Sequence, residues 1–261
     1  MAAAQSGNGV MRVVGIIQAR MGSTRLPGKS MADLAGRPLL ARLLERVTRA
    51  TGLDEVVVAT PDTPEDQALT EVASRAGVSV FRGAEHDLVD RYYQAAKAFD
   101  AGLVVRICAD NPVIEPAEID RIVTHHWRVS SDFSSNVQNI DDNGYPDGIG
   151  AEVFSLSTLE YLWRHVTDPS NREHPHSFVY QHPERFRIGT VLCPAEFRRP
   201  DLKLDVNTPD ELSYVRAIYE YCYPRNPRFH ITDIVKWHDE VYSAAIPSAS
   251  PRQILANTIE S

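Results

Sequence analysis

Residues 12–30 read RVVGIIQARMGSTRLPGKS: an unbroken apolar run opens into a loop rich in glycine and cations. An apolar run of this length is the pattern of a strand buried on both faces, and residues 12–19 are expected to form one. The loop from Gly22 to Ser30 nearly spells a phosphate-binding P-loop, which needs a fixed spacing between its glycines and a helix beginning at the lysine. Here Gly22 and Gly28 enclose one residue too many, and SMADLAGRPL, around and beyond Ser30, shows no immediate long helix. A different cradle is expected. Gly22 and Gly28 let the backbone lie close to a ligand, Ser23 and Thr24 add donors, and Arg20, Arg25 and Lys29 can neutralise a triphosphate.

Charge supports a small anionic ligand over a polymeric one. The 261-residue chain carries 27 Lys and Arg against 35 Asp and Glu, a net charge of -8, so the broad basic face that nucleic acid requires is absent. Against that acidic background Arg12, Arg20, Arg25 and Lys29 stand within eighteen residues, a local cationic pocket. The first ten residues, MAAAQSGNGV, have neither a charged leader nor an apolar segment, which predicts no secretory signal, no membrane anchor and a cytoplasmic location. Cys108, Cys193 and Cys222 are widely spaced and odd in number, as expected of reduced thiols with no zinc spacing.

Strand and helix patterns alternate downstream. EVVVAT (55–60), VSVFRG (78–83) and LVVRICA (103–109) read as strands. RPLLARLLERVTRA (37–50), PEDQALTEVASRAG (64–77), HDLVDRYYQAAKAFDA (86–101) and PAEIDRIVTHHWRV (116–129) read as helices. This order predicts an α/β fold with a mostly parallel central sheet and helices on both faces. After residue 130 the rhythm breaks in a polar, turn-rich stretch, then resumes with AEVFS, RFRIGTVLC and LKLDV as strands and 156–166 and 208–223 as helices. One domain over 12–243 is expected, with a smaller arm at about 131–190 and flexible tails at 1–11 and 244–261. Ligands of such sheets bind beyond the carboxyl ends of the strands. Those ends are the loop after Ala19, Thr60 to Asp62, Asp110 with Asn111, and Asp205 to Asn207.

QARMGSTRLPGK resembles the opening motif of the cytidylyltransferases related to CMP-Kdo synthetase, most closely the branch of the spore-coat polysaccharide protein SpsF. VVVATPDTPEDQAL, RGAEHDLVDRYYQAA, VVRICADNPVIEPAEID, YPDGIGAEVFS, REHPHSFVYQHPERF and DVNTPDEL agree in order, so the resemblance spans roughly residues 12–222. It implies a Rossmann-like nucleotidyltransferase fold, a homodimer, a magnesium ion, and a reaction in which CTP gives CMP to a sugar-like or phosphonate-like acceptor and releases pyrophosphate. No nucleophilic Ser or Cys is needed, because fixed cations stabilise the charge that develops on the phosphates.

The resemblance also distributes roles. Arg25, Lys29 and Asp110 are the catalytic candidates; Gln18, Ala19, Arg20, Gly22, Ser23, Ala59, Thr60, Gly83 and Arg91 are expected around the nucleotide. Tyr145, Asp147, Glu152, Arg172, Glu173 and His174 match stretches that lie near the acceptor in relatives, and His174 with His176 is read as acceptor contact or interface packing rather than a metal site. Asp110 is the expected metal carboxylate, since magnesium prefers hard oxygen. The second ligand departs from the family pattern: Asn207 stands where relatives have Asp. Either Asp205, two residues upstream, replaces it, or Asn207 coordinates through its carbonyl. A GT-A glycosyltransferase is the main enzymatic alternative, although no D-x-D follows a strand, and a nucleotide-binding sensor disabled at Asn207 is the other.

Overall fold

The computed structural model describes residues 11–137 and 142–245; of the expected tails, 1–10 and 246–261 lie outside the described residues. The apolar run forms strand β1 (Val13–Gln18), flanked by β4 (Glu55–Pro61) on one side and β6 (Leu103–Cys108) on the other, both parallel to it. Strand β5 (Ser79–Gly83) extends the parallel set beyond β4. The far edge adds β8 (Glu152–Ser155), antiparallel to β6, then β7 (Phe133–Ser135) and β9 (Ile188–Thr190), giving the order β5-β4-β1-β6-β8-β7-β9. The expected mostly parallel sheet is borne out. Its strand order reverses between β1 and β6, which opens a crevice at their carboxyl ends.

Side chains alternate across β1 and sort the helices to two faces. Val13 and Ile17 pack with Leu40, Leu44, Leu69 and Ile122, from α1 (Leu39–Val47), α2 (Gln67–Arg75) and α4 (Pro116–Val129). Val14 and Ile16 pack with Val89, Tyr92, Leu159 and Leu162, from α3 (Leu88–Ala98) and α5 (Leu156–His165). A third cluster, with Leu34, Tyr145, Leu204, Val206, Ile218 and Trp237, joins a small hairpin, β2 (Asp33–Leu34) and β3 (Arg37–Pro38), to the C-terminal helices.

Three local expectations change. The helix expected over 37–50 is shorter, Leu39–Val47, with Pro38 at its N-cap position. The segment 202–206 is not a strand of the sheet. Its alternation is real, because Leu202, Leu204 and Val206 are buried, but its backbone pairs with loop ends: Leu204 N with Asp147 O at 3.1 Å and Val206 N with Asp110 O at 2.8 Å. This detour brings Asn207 beside Asp110. The arm holds two short helices absent from the sequence reading, α6 (Pro169–Glu173) and α7 (Pro175–Gln181), and a long α8 (Pro209–Arg225), capped by Thr208 and Glu211, is followed by α9 (Ile231–Trp237) and α10 (Ser243–Ala245). Among the described residues no helix is long and apolar enough to cross a membrane.

Candidate active site

The loop after β1 closes on one residue, Met21. The Met21 carbonyl accepts from Ser23 N at 2.9 Å and Gly28 N at 3.1 Å, while Met21 N donates to Asp66 Oδ1 at 2.7 Å. Gly28 sits at φ 70°, the left-handed region that glycine adopts without penalty, and turns the chain into a single tight turn, Lys29–Met31. No long helix starts at Lys29, as the spacing foretold. Asp66 was missed as an anchor of this loop; its only sequence signal was an acid in the opening turn of a helix.

Lys29 is the centre of the cleft. Its Nζ donates to Asp110 Oδ2 at 2.8 Å, to the Val206 carbonyl at 3.0 Å and to Asn207 Oδ1 at 3.0 Å. Arg25 also donates to Asn207 Oδ1, at 2.7 Å. Lysine and arginine only donate, so the Asn207 amide must turn its oxygen toward them. Its nitrogen then donates to Asp205 Oδ2. Asp205 therefore orients Asn207 from behind, and it does not line the cleft.

Asp205 is itself strained electrostatically. Burial, and then repulsion from Asp147, push its pKa up to about 7, with Lys203 Nζ opposing from 3.8 Å and Asp205 Oδ1 buried without a hydrogen bond. A carboxyl raised above its ordinary 3.8 contributes most stability at low pH and loses it as pH rises from there through about 7. Asp205→Asn is thus expected to raise the melting temperature at pH 8 and to change it little at pH 4. Thermal unfolding at the two pH values checks this; a lower melting temperature at pH 8 would show that the charged carboxylate is stabilising.

The cleft brings together Gln18, Ala19, Arg20, Ser23, Thr24, Arg25, Lys29 and Ser30 from β1 and its loop, Leu88 and Arg91 from α3, and Ala109 and Asp110 after β6. Glu173 and His174 from the arm and Asn207 complete it. Arg91 is fixed from behind: its guanidinium donates to the carbonyls of Ala84 and Glu85 at 2.7 and 2.8 Å. Arg20 meets Glu173 across the cleft at 3.1 Å. Burial, and then His176, lower the pKa of His174, leaving its imidazole neutral at pH 7.

The other expected residues lie outside this lining. Ala59 and Thr60 are buried in β4, where the Ala59 carbonyl accepts from Ala19 N at 3.2 Å. Gly83 makes room for protein: a Cβ there would stand 2.6 Å from the Phe81 ring and 3.3 Å from Arg91 Cγ. Gly22 has open space where a Cβ would stand. Tyr145 is buried in the third cluster, its hydroxyl bonded to Glu118 and accepting from Arg121 at 2.6 Å. Asp147 pairs its backbone with Leu202 and Leu204. Arg172 spends its guanidinium on Asp87 at 2.6 Å and on the carbonyls of Trp163 and Val166, which locks α6 to the start of α3.

Glu152 is buried between Arg106, at 2.5 Å, and His176, at 3.2 Å. Burial alone would raise its pKa, but Arg106 and His176 outweigh it and hold Glu152 at about 2. All three cysteines are free, and burial pushes the Cys108 thiol up to about 12, which leaves it inert. Among the described residues no three His, Cys, Asp or Glu side chains gather as a metal cage.

The sequence pattern of the cytidylyltransferase family matches residues 14–228. The chain is 31% identical over 210 residues to the spore coat polysaccharide biosynthesis protein SpsF of Bacillus subtilis, covering 78% of this chain and 85% of that protein. It is also 31% identical over 223 residues to a 3-deoxy-manno-octulosonate cytidylyltransferase of Trichlorobacter lovleyi, covering 75% and 84%. A solved cytidylyltransferase from Leptospira borgpetersenii superposes with a TM-score of 0.82 at 30% identity, over 92% of this chain and 98% of that one. A family match across most of the length, together with a crevice that gathers cations at the ends of β1 and β6, shows that the chain belongs to the cytidylyltransferases.

Proposed function

We propose that this cleft transfers CMP from CTP to a sugar-like or phosphonate-like acceptor and releases pyrophosphate. The observation that carries the reading is the convergence of Lys29, Arg25, Asp110 and Asn207 at the end of β1 and β6. Attack of an acceptor oxygen on the α-phosphorus builds negative charge on the phosphoryl oxygens and on the departing pyrophosphate. Cations fixed in advance stabilise that charge without reorganising. Arg25 and Lys29 are held in place by the loop and by Asn207, and Arg20 and Arg91 extend the positive lining toward the arm.

Magnesium fits the donor set. Asp110 Oδ2 and Asn207 Oδ1 are hard oxygens already turned toward one cationic point, Lys29 Nζ. These two residues would hold the ion, with Asp205 orienting Asn207. When bound, magnesium supplies Lewis-acid stabilisation of the phosphate charge. The chain's own residues do the rest: Ser23 and Thr24 position phosphate, and Glu173 and His174 face the acceptor from the arm. Arg172, Tyr145, Asp147 and Glu152 act from behind by fixing the arm and the segment around 147–207.

The SpsF name and the sugar acid named in the 3-deoxy-manno-octulosonate relative support an anionic or hydroxylated acceptor. The same reading includes a homodimer through the arm, whose neighbourhood exposes Leu192 and Val129, and a cytoplasmic location. The test is a screen of CTP, UTP, ATP and GTP with magnesium against sugar acids, sugar phosphates and phosphonates, scored by pyrophosphate release. Release that depends on CTP and on one acceptor class supports the reading; faster release with another nucleotide overturns it.

A further inference from the structure

Behind the cleft, buried Tyr92 and Arg106 join Glu152 and the half-buried His176 in a polar chain. It ends on Gln18. Tyr92 OH and Arg106 Nε each donate to Gln18 Oε1 at 3.0 Å. Arginine can only donate, so the amide oxygen must face it and the amide NH2 must turn the other way. Gln18 lines the cleft, and among the described residues its NH2 has no protein acceptor.

Arg106 is held in turn by the strand pairing. It stands opposite Glu152 in the β6–β8 ladder, donates to it at 2.5 Å, and Glu152 reaches His176 Nδ1 at 3.2 Å. His176 belongs to α7, two residues beyond the cleft-lining His174. A free glutamine offers either end of its amide to a ligand. Gln18 offers only the donor.

We propose that Tyr92 and Arg106 are positioning residues that fix Gln18 as a donor-only amide, so that Gln18 selects a substrate carrying a hydrogen-bond acceptor atom at the end of β1. The inference rests on the nucleotidyl-transfer reading and refines it. A substrate presenting an N–H at this point would leave two donors face to face, a buried mismatch that discriminates strongly. The acceptor atom is a carbonyl or hydroxyl oxygen or a ring nitrogen, and two sources supply one: the pyrimidine base of CTP or the acceptor substrate.

Gln18→Glu tests this with little change of shape. It keeps an oxygen on Tyr92 and Arg106 and replaces the NH2 with a second acceptor. Two quantities are read: the CTP dissociation constant by calorimetry without acceptor, and the KM of the acceptor found by pyrophosphate release at saturating CTP. One of them is expected to worsen about tenfold, the worth of one hydrogen bond to a polar ligand atom. A loss in CTP affinity assigns the contact to the base, and a loss confined to acceptor KM assigns it to the acceptor. Unchanged values in both overturn the proposal.

Tyr92→Phe tests positioning. It removes only the hydroxyl, and is expected to weaken the same quantity roughly threefold in the wild-type background and not at all in Gln18→Ala. Equal losses in the two backgrounds would show that Tyr92 merely packs. Wild-type protein that neither binds CTP nor releases pyrophosphate defeats the parent reading, whereas active wild type with an indifferent Gln18→Glu defeats this one alone.

Discussion

Lys29→Ala is expected to lower kcat by roughly 10²–10³-fold, about 3–4 kcal/mol of transition-state stabilisation, the range for deleting one preorganised electrostatic contact. The side chain is mostly buried and all three of its N–H donors are used, on Asp110, the Val206 carbonyl and Asn207. Its loss removes a cation from the phosphate cradle and leaves Asp110 facing Asn207 with no counter-charge between them. Lys29→Arg should not rescue, because a planar guanidinium cannot reproduce a three-way contact made by a single nitrogen. Steady-state pyrophosphate release checks both variants. Wild-type turnover in Lys29→Ala would remove the loop from the mechanism.

Glu152→Ala should be the most destabilising single change near the site. It strands Arg106, whose side chain is 7% exposed, as a buried charge without its carboxylate, a situation that costs about 3–5 kcal/mol. Glu152→Gln keeps the shape and loses the charge, and is expected to lie between alanine and wild type. Because the folded chain holds Glu152 at about 2 against an ordinary 4.5, its contribution is complete above 4.5 and disappears as pH falls through about 2. Denaturant unfolding at pH 7 and pH 3 should show the gap between wild type and Glu152→Gln narrowing at the lower pH. A gap that widens there would contradict the ion-pair account.

The features legible in the sequence were those written in local patterns. β1 and α4 could be read because burial imposes an apolar run or a helical stripe on neighbouring residues. The segment 202–206 misled for the same reason: Leu202, Leu204 and Val206 alternate as a strand does, yet their backbone partners, Asp110 and Asp147, lie far off in sequence. Helices α6 and α7 are too short to show a period. Of the site, Gln18, Arg25, Lys29 and Asp110 stood at strand ends and in a glycine loop, where fold topology puts ligands. Arg172 with Asp87, Glu152 with Arg106, and Met21 with Asp66 are partnerships between distant residues. Nothing in the chain near either member announces such a pair. That Asp205 stands behind Asn207 was illegible for a related reason, since it depends on which way one amide is turned by Arg25 and Lys29.

Whether this loop and the ends of β1 and β6 form a CTP site is decided by calorimetric titration of CTP, UTP, ATP and GTP with magnesium into wild type and Lys29→Ala. CTP should bind wild type at least tenfold more tightly than the other three nucleotides, a difference of about 1.4 kcal/mol, and should lose most of that affinity in Lys29→Ala. Equal binding of all four nucleotides, or CTP affinity untouched by the loss of Lys29, would contradict a CTP site there.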